Sequence, residues 1–599
     1  MVRPGSSAPA ESPDVRGLRR TVRRLQVSLL MLTVPLLAVV VTAARLSGGI
    51  VSGTGFQPLT SLTAPSPDDS WRKLVPALMS YNSFLPPLAC QRGVSYEGTM
   101  LRMQSFAGRL VRGKGVKVVA VGGSTTAGAG SYRKNPFHKR YHEWLVETFP
   151  ALPGANVSLV VNGLGATRSA LFNACSQRMV TTDGDMYIVE FAVNDPWNEP
   201  IDGPTRHGFE QLIRKLLRGR KVPAVVILNQ HAWATSRGAF YRSAERDLAA
   251  IGEYYDVPVL SMRDAIWNYL GRTGFWVNGS LSQHLQAMGA PEGARSWRDR
   301  VAPGTPVLPI EHAYLYWDGV HPADLTGQRV LADLLVEITR RATRRLLSEA
   351  AEWWRGGRVV PPMLPTPPPM LAGNWELNAS HCFMQDDILD RTVGMEGFEW
   401  KPRKPEAATH TLQQWGFHAS QPGASVRISL DTTFNDAGGA EAARITGSEA
   451  PQGPPPVDLV LAVVKSWGHY GLAKFRCEEG CTCEQTIIDC KWQYNHTQAS
   501  LVPIPVTQAK NCTFSITILP STKNNGTKFE MRGALVVNHG SQLFSMPDSH
   551  GDAVAGNVNQ RRRRSLLGVA EEGDAEEREG GGRWTLPGED EPIPSFLYV

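Results

Sequence analysis

Between residues 116 and 355 the chain alternates short β-branched runs with longer amphipathic ones. The runs at 116–121, 157–161, 186–191, 223–228 and 257–260 have the length and residue types of buried strands. Helical spacing fills the intervals at about 136–148, 168–180, 206–219 and 238–255. A closing helix is expected after His321, where Leu325, Val330, Leu331, Leu334, Leu335 and Ile338 fall on one face. Strands alternating with helices predict an α/β domain whose parallel sheet is covered on both faces. In such sheets ligands bind at the carboxyl ends of the strands. The pattern then changes. Residues 359–370, "VVPPMLPTPPPM", read as an extended linker separating two domains. Beyond it come short alternating segments such as "SVRISLDTTF", "VDLVLAVVKSW" and "CTFSITIL", without helices between them. They predict a smaller all-β sandwich.

The amino-terminal pattern is different again. Residues 25–44 carry no charge over about 20 positions, the length needed to cross a bilayer. Arg3, Arg16, Arg19, Arg20, Arg23 and Arg24 precede this span, and only Arg45 follows it before Asp68. That asymmetry predicts a type II signal-anchor with the amino terminus cytoplasmic and the bulk of the chain in the secretory lumen or at the cell surface. The expected organisation is a basic tail (1–24), an anchor (25–44), a lumenal stem and entry segment (45–110), the α/β domain (111–355), a linker (356–372), the β domain (373–545) and a disordered charged tail (546–599). N-x-[ST] sequons begin at Asn156, Asn278, Asn378, Asn495, Asn511 and Asn525, all on the lumenal side.

Composition adds two constraints. A formal charge of +6 on 599 residues, with no long basic stripe, gives no sign of a nucleic-acid partner. Six of the eight cysteines lie beyond residue 380: Cys382, Cys477, Cys481, Cys483, Cys490 and Cys512. The tight "CEEGCTCEQTIIDC" cluster admits zinc ligation, but an oxidising lumen favours disulfides. Cys90 and Cys175 are then left over and expected to pair with each other.

The candidate chemistry starts at "VKVVAVGGSTTAGAG", 116–130. A Gly/Ser/Thr loop after a strand either cradles phosphate or presents a hydroxyl. A P-loop needs Lys and Ser/Thr after its second glycine, where this chain has Ala129 and Gly130. Nucleotide binding therefore fails at its most specific positions, leaving Ser124 as a candidate nucleophile. A serine hydroxyl needs a base. The loop "YWDGVHPADLTGQ" supplies His321, and Asp318, three residues upstream, can orient the imidazole and stabilise its protonated form. Oxyanion donors come from the backbone N–H groups of Ser124 and Gly165 and the side-chain amide of Asn194. Gly163 lies in the same loop as Gly165 and is the alternative donor. Asp195 reads as a structural partner of loop amides. His231 and Trp197, Trp233 and Trp317 flank the site and could line a pocket or simply pack.

Four loops in this order, "GGS", "GAT", "VND" and "DGVH", resemble the SGNH (GDSL-type) hydrolase superfamily over about 116–345. The resemblance implies a flavodoxin-like three-layer α/β/α sandwich that hydrolyses esters without metal or cofactor. Two positions depart from the family pattern: Gly123 replaces the aspartate of G-D-S, and Ala192 replaces the first glycine of G-x-N-D. The carboxy-terminal segment is similar to that of uncharacterised plant and green-algal proteins that pair it with an SGNH domain. The expectation is a membrane-anchored serine esterase acting on O-acetyl groups of a polysaccharide or glycoprotein glycan. An O-acyltransferase using the same site, or a glycan-binding protein with a decayed site, are the alternatives.

Overall fold

The computed structural model describes residues 74–539 apart from internal stretches, the longest being 271–279, 288–313, 356–364, 406–412 and 435–455. The expected anchor at 25–44, the charged tail beyond 546 and Asp318 all lie outside the described residues. Among the described residues no helix is long and apolar enough to cross a membrane.

A six-stranded sheet forms the first layer system: β1 (Val94–Tyr96), β2 (Val116–Gly122), β3 (Val157–Gly163), β4 (Met186–Glu190), β5 (Ala224–Asn229) and β6 (Val259–Ser261). Its spatial order is β1-β6-β5-β4-β2-β3. The five strands β2 to β6 are parallel, and their order is the flavodoxin-like one. The short β1 adds an antiparallel edge that the sequence pattern did not reveal. Alternation within strands explains the covering of both faces. Val118, Met186, Ile188, Val226 and Leu228 point to one side, against helices Leu101–Val111, Phe137–Thr148 and Gly327–Arg355. Val119, Val121, Tyr187, Val189, Val225 and Ile227 point to the other, against Ser169–Ala174, Pro204–Leu217 and Glu245–Tyr254. Period-two side-chain alternation thus feeds two separate cores from the same strands.

The carboxy-terminal half is an antiparallel sandwich of a six-stranded and a five-stranded sheet. Its central strands Val457–Lys465 and Phe529–Asn538 are buried almost throughout. Val457, Leu459, Leu461 and Val463 face the sandwich interior. The intervening Val460 and Ala462, with Leu535 and Val537, join the apolar core of the α/β half. Fully burying such a side chain is worth about 1.5–3 kcal/mol, so a sheet with two apolar faces is stable only when both are covered.

The halves therefore share a core, and the proline-rich stretch does not hold them apart. Over 365–376 it lies on helix Pro204–Leu217. Arg214 donates to the Pro367 carbonyl (2.6 Å), and Asn374 donates to Glu210 (2.7 Å) and accepts from Gln211 (2.7 Å). Cysteine pairing requires a correction. Cys175 bonds Cys382, a link from the α/β half to the sandwich, and Cys90 is a buried free thiol beside Ser83. The cluster resolves into Cys477–Cys483 and Cys481–Cys512, with Cys490 free and buried. Spacing alone could not foresee a bridge spanning 207 residues.

Candidate active site

The Ser124 loop follows β2. Ser124 heads a tight turn in which Ala127 N–H bonds Gly123 C=O (3.0 Å) and Ala129 N–H bonds Ser124 C=O (2.9 Å). Gly122 and Gly123 are needed for close approach rather than for unusual dihedrals, since neither has positive φ. A Cβ on Gly122 would overlap Thr126 and crowd Glu190; one on Gly123 would overlap the Asn194 carboxamide. Farther along, Gly130 has φ +81°, and a Cβ there would stand 2.6 Å from the Pro322 carbonyl and 2.8 Å from His321 Cβ. The serine and histidine loops thus touch backbone to backbone.

That contact sets the central geometry. His321 Nε2 lies 2.7 Å from Ser124 Oγ, although the residues are 197 apart in sequence. Gly165 is the glycine that faces Ser124. A Cβ on it would be 3.7 Å from Ser124 Cβ, whereas Gly163 pairs with Gly122 in the sheet and packs on the Ala127 backbone. Asn194 arrives from the turn after β4, its carboxamide against Gly123. Asp195 is structural, as expected, accepting from Ser169 N–H (3.0 Å) and Ser169 Oγ (2.7 Å). His231 is buried and bonded to Tyr316 Oη (2.9 Å), not part of the Ser124 pair. Of the tryptophans, Trp197 stacks under the Arg242 guanidinium at 5.3 Å and Trp233 packs beside Trp267.

Several supporting groups had no weight in the sequence. Gln230, just after β5, accepts from Thr125 Oγ1 (2.9 Å) and donates to the Val320 carbonyl (2.6 Å), tying the serine loop to the histidine loop. Gln328 donates to Ala129 and Pro322 carbonyls (3.3 and 3.2 Å) and does the same from the other side. Thr126 is held between Glu190, which accepts from its hydroxyl (3.1 Å), and His138, whose Nε2 donates to its carbonyl (3.0 Å). Burial pushes His138 down to about 4, so the ring is neutral and a donor at Nε2. The signal for Glu190 was available: it is a charged residue set between the apolar Val189 and Phe191 at the carboxyl edge of the sheet.

Glu190 is completely buried beneath the loop. Burial raises its pKa from 4.5 to about 8, with the Thr126 hydroxyl and the Thr126 and Gly123 amides opposing the rise. A carboxyl with a raised native pKa binds more protons folded than unfolded. Its stabilising contribution is therefore complete below about pH 4.5 and lost as pH climbs through about 8. Glu190→Gln removes that titration. The variant's melting temperature is expected to exceed that of wild type by at least roughly 2 °C at alkaline pH, with the difference shrinking on acidification. A difference constant from acid to alkaline pH would contradict the assignment of a buried, proton-retaining carboxyl.

No family model matches the chain, and no curated protein matches it. Among solved structures, it is similar to a two-domain esterase (CEX) active on acetylated mannans, at 16% identity over 75% of this chain and 98% of that one, with a TM-score of 0.47. It is also similar to Axe2, an acetylxylan esterase from Geobacillus stearothermophilus, at 14% identity over 38% of this chain and 95% of that one, with a TM-score of 0.26. Likenesses of this depth leave activity and substrate to the side chains of the site.

Proposed function

We propose that the protein is a serine esterase that hydrolyses carboxylic esters, with O-acetyl groups on glycans as its substrates. The observation that carries this reading is the 2.7 Å contact between Ser124 Oγ and His321 Nε2 at the carboxyl edge of a parallel sheet. A serine hydroxyl donating to a histidine ring nitrogen is the arrangement that makes a weak nucleophile reactive. In the proposed cycle His321 takes the hydroxyl proton as Ser124 attacks the ester carbonyl. The oxyanion is received by the N–H groups of Ser124 and Gly165 and the Asn194 amide. Collapse expels the alcohol, protonated by His321, and leaves an acyl-serine. Water, deprotonated by His321, then releases the acid. Asp318 is assigned the orientation of His321 Nδ1–H, which leaves Nε2 free to accept.

The paired Ser124 and His321 favour a working site over a decayed one. Water and sugar hydroxyls are both acceptors for an acyl-serine, so the test measures product as well as rate. The protein, incubated with acetylated mannan, acetylated xylan and simple acetyl esters, is expected to release acetate from at least one of them. Ser124→Ala should release it about a million-fold more slowly. Equal background release by both proteins from every ester would defeat the esterase reading, and transfer of acetyl to added sugar without acetate release would replace it with acyl transfer.

A further inference from the structure

The Gly165 loop is bonded by the carboxy-terminal sandwich as well as by its own half of the protein. Arg532, on strand Phe529–Asn538, is buried and donates through Nη1 to the Gly165 carbonyl at 3.1 Å. Its Nη2 donates to Gln414 Oε1 at 3.0 Å. That bond fixes which way the Gln414 amide faces: with Oε1 turned to the guanidinium, Nε2 is turned to Gly165, 2.5 Å from where a Cβ on that glycine would stand. The next residue is held too. Ala166, at φ 59°, accepts through its carbonyl from Ala499 N–H at 2.9 Å, on strand Gln498–Val506. Two successive carbonyls of the loop are thus bound by sandwich donors.

Arg532 is itself braced. Glu530 accepts from Arg532 Nε (3.2 Å), from Arg403 (2.9 Å) and from Tyr470 Oη (3.0 Å). The two guanidinium groups hold the Glu530 carboxyl down at about 2 against the opposing effect of its burial. A buried charge pair of this kind is costly unless every donor and acceptor is used. Here the surplus guanidinium donors are spent on Gly165 and Gln414. Gln414 has φ 58°, a strained backbone for a residue with a side chain, which is characteristic of positions where geometry serves a site.

We propose that the sandwich is part of the catalytic centre: Arg532 and Gln414 are positioning residues that anchor the Gly165–Ala166 peptide and the Gly165 Cα, and through them hold the Gly165 N–H toward the reacting carbonyl, so the α/β half alone lacks one of its three oxyanion donors in place. The proposal rests on the esterase reading above. A displacement of a donor by about 1 Å costs about 100-fold in rate, so the effect should be large although neither residue belongs to the serine–histidine pair.

The test uses the full chain with Gln414→Gly, which removes the amide and relieves the strained backbone, and Arg532→Lys, which keeps a positive charge beside Glu530 but cannot reach both partners. Expected are a fall in kcat of about 30- to 100-fold on an acetyl ester with KM within about twofold, and an equal slowing of Ser124 labelling by a fluorophosphonate, whose phosphoryl oxygen uses the same donors. The double variant should be no worse than the poorer single one, because the two residues act as a unit. Should Arg532→Lys melt well below wild type, Gln414→Gly decides alone. Wild-type kcat and labelling in Gln414→Gly would overturn the proposal while leaving the esterase reading intact. A wild-type protein that neither cleaves esters nor labels would overturn the esterase reading itself.

Discussion

Ser124→Ala is expected to lower kcat by about a million-fold on any ester the protein cleaves, and to abolish labelling by a fluorophosphonate. The size follows from the mechanism. Alanine removes the attacking oxygen, and His321, 2.7 Å away, then has no hydroxyl to deprotonate. The Gly165 and Asn194 donors stay, so a residual rate about 1,000- to 10,000-fold above that in water should persist. His321→Ala should fall nearly as far, and the double variant scarcely further, since nucleophile and base work only together. Progress curves on an acetyl ester, with circular dichroism to verify folding, suffice. A Ser124→Ala protein retaining even a hundredth of wild-type kcat would place the nucleophile elsewhere.

Gly123→Ala is expected to cost about 100- to 1,000-fold in kcat with little change in KM, the penalty of losing one oxyanion donor. Gly123 has no positive φ, so alanine is compatible with its backbone. The new methyl group, however, would occupy the space of the Asn194 carboxamide. Asn194 has to swing away, and its amide leaves the oxyanion. Asn194→Ala should therefore show the same loss, with no additional loss when the two are combined. Aspartate at position 123, as in the family motif that the loop resembles, should behave no better than alanine, because its Cβ meets the same carboxamide. Near-wild-type kcat in Gly123→Ala would mean that Asn194 does not serve the oxyanion. In this chain the Asn194 carboxamide fills the place that a side chain at 123 would take.

The order of elements was legible because burial of a parallel sheet leaves a strong imprint. Runs such as 116–121 and 223–228 could be nothing but interior, and the helices between them carried one apolar face each. The serine and histidine were legible as types at strand ends. Two things were hidden. Helix Leu101–Val111 and strand β1 fall in a stretch read as a stem, since a three-residue edge strand has too little periodicity to register. The docking of the sandwich was hidden because 457–465 is apolar on both faces. Such a run announces that two surfaces are covered and does not say by what.

The sequence by itself determined the α/β alternation, the all-β half and the residue types that could attack, accept a proton and donate to an oxyanion, because each depends on local periodicity or on side-chain chemistry. Only the tertiary structure decided which of them meet. It brought Ser124 and His321 together, turned Gly165 rather than Gly163 toward Ser124, paired Cys175 with Cys382 and set Arg532 on the Gly165 carbonyl. Those choices depend on the order of strands in the sheet and on which apolar face finds which partner. Both are fixed by packing across hundreds of residues and leave no trace in local spacing.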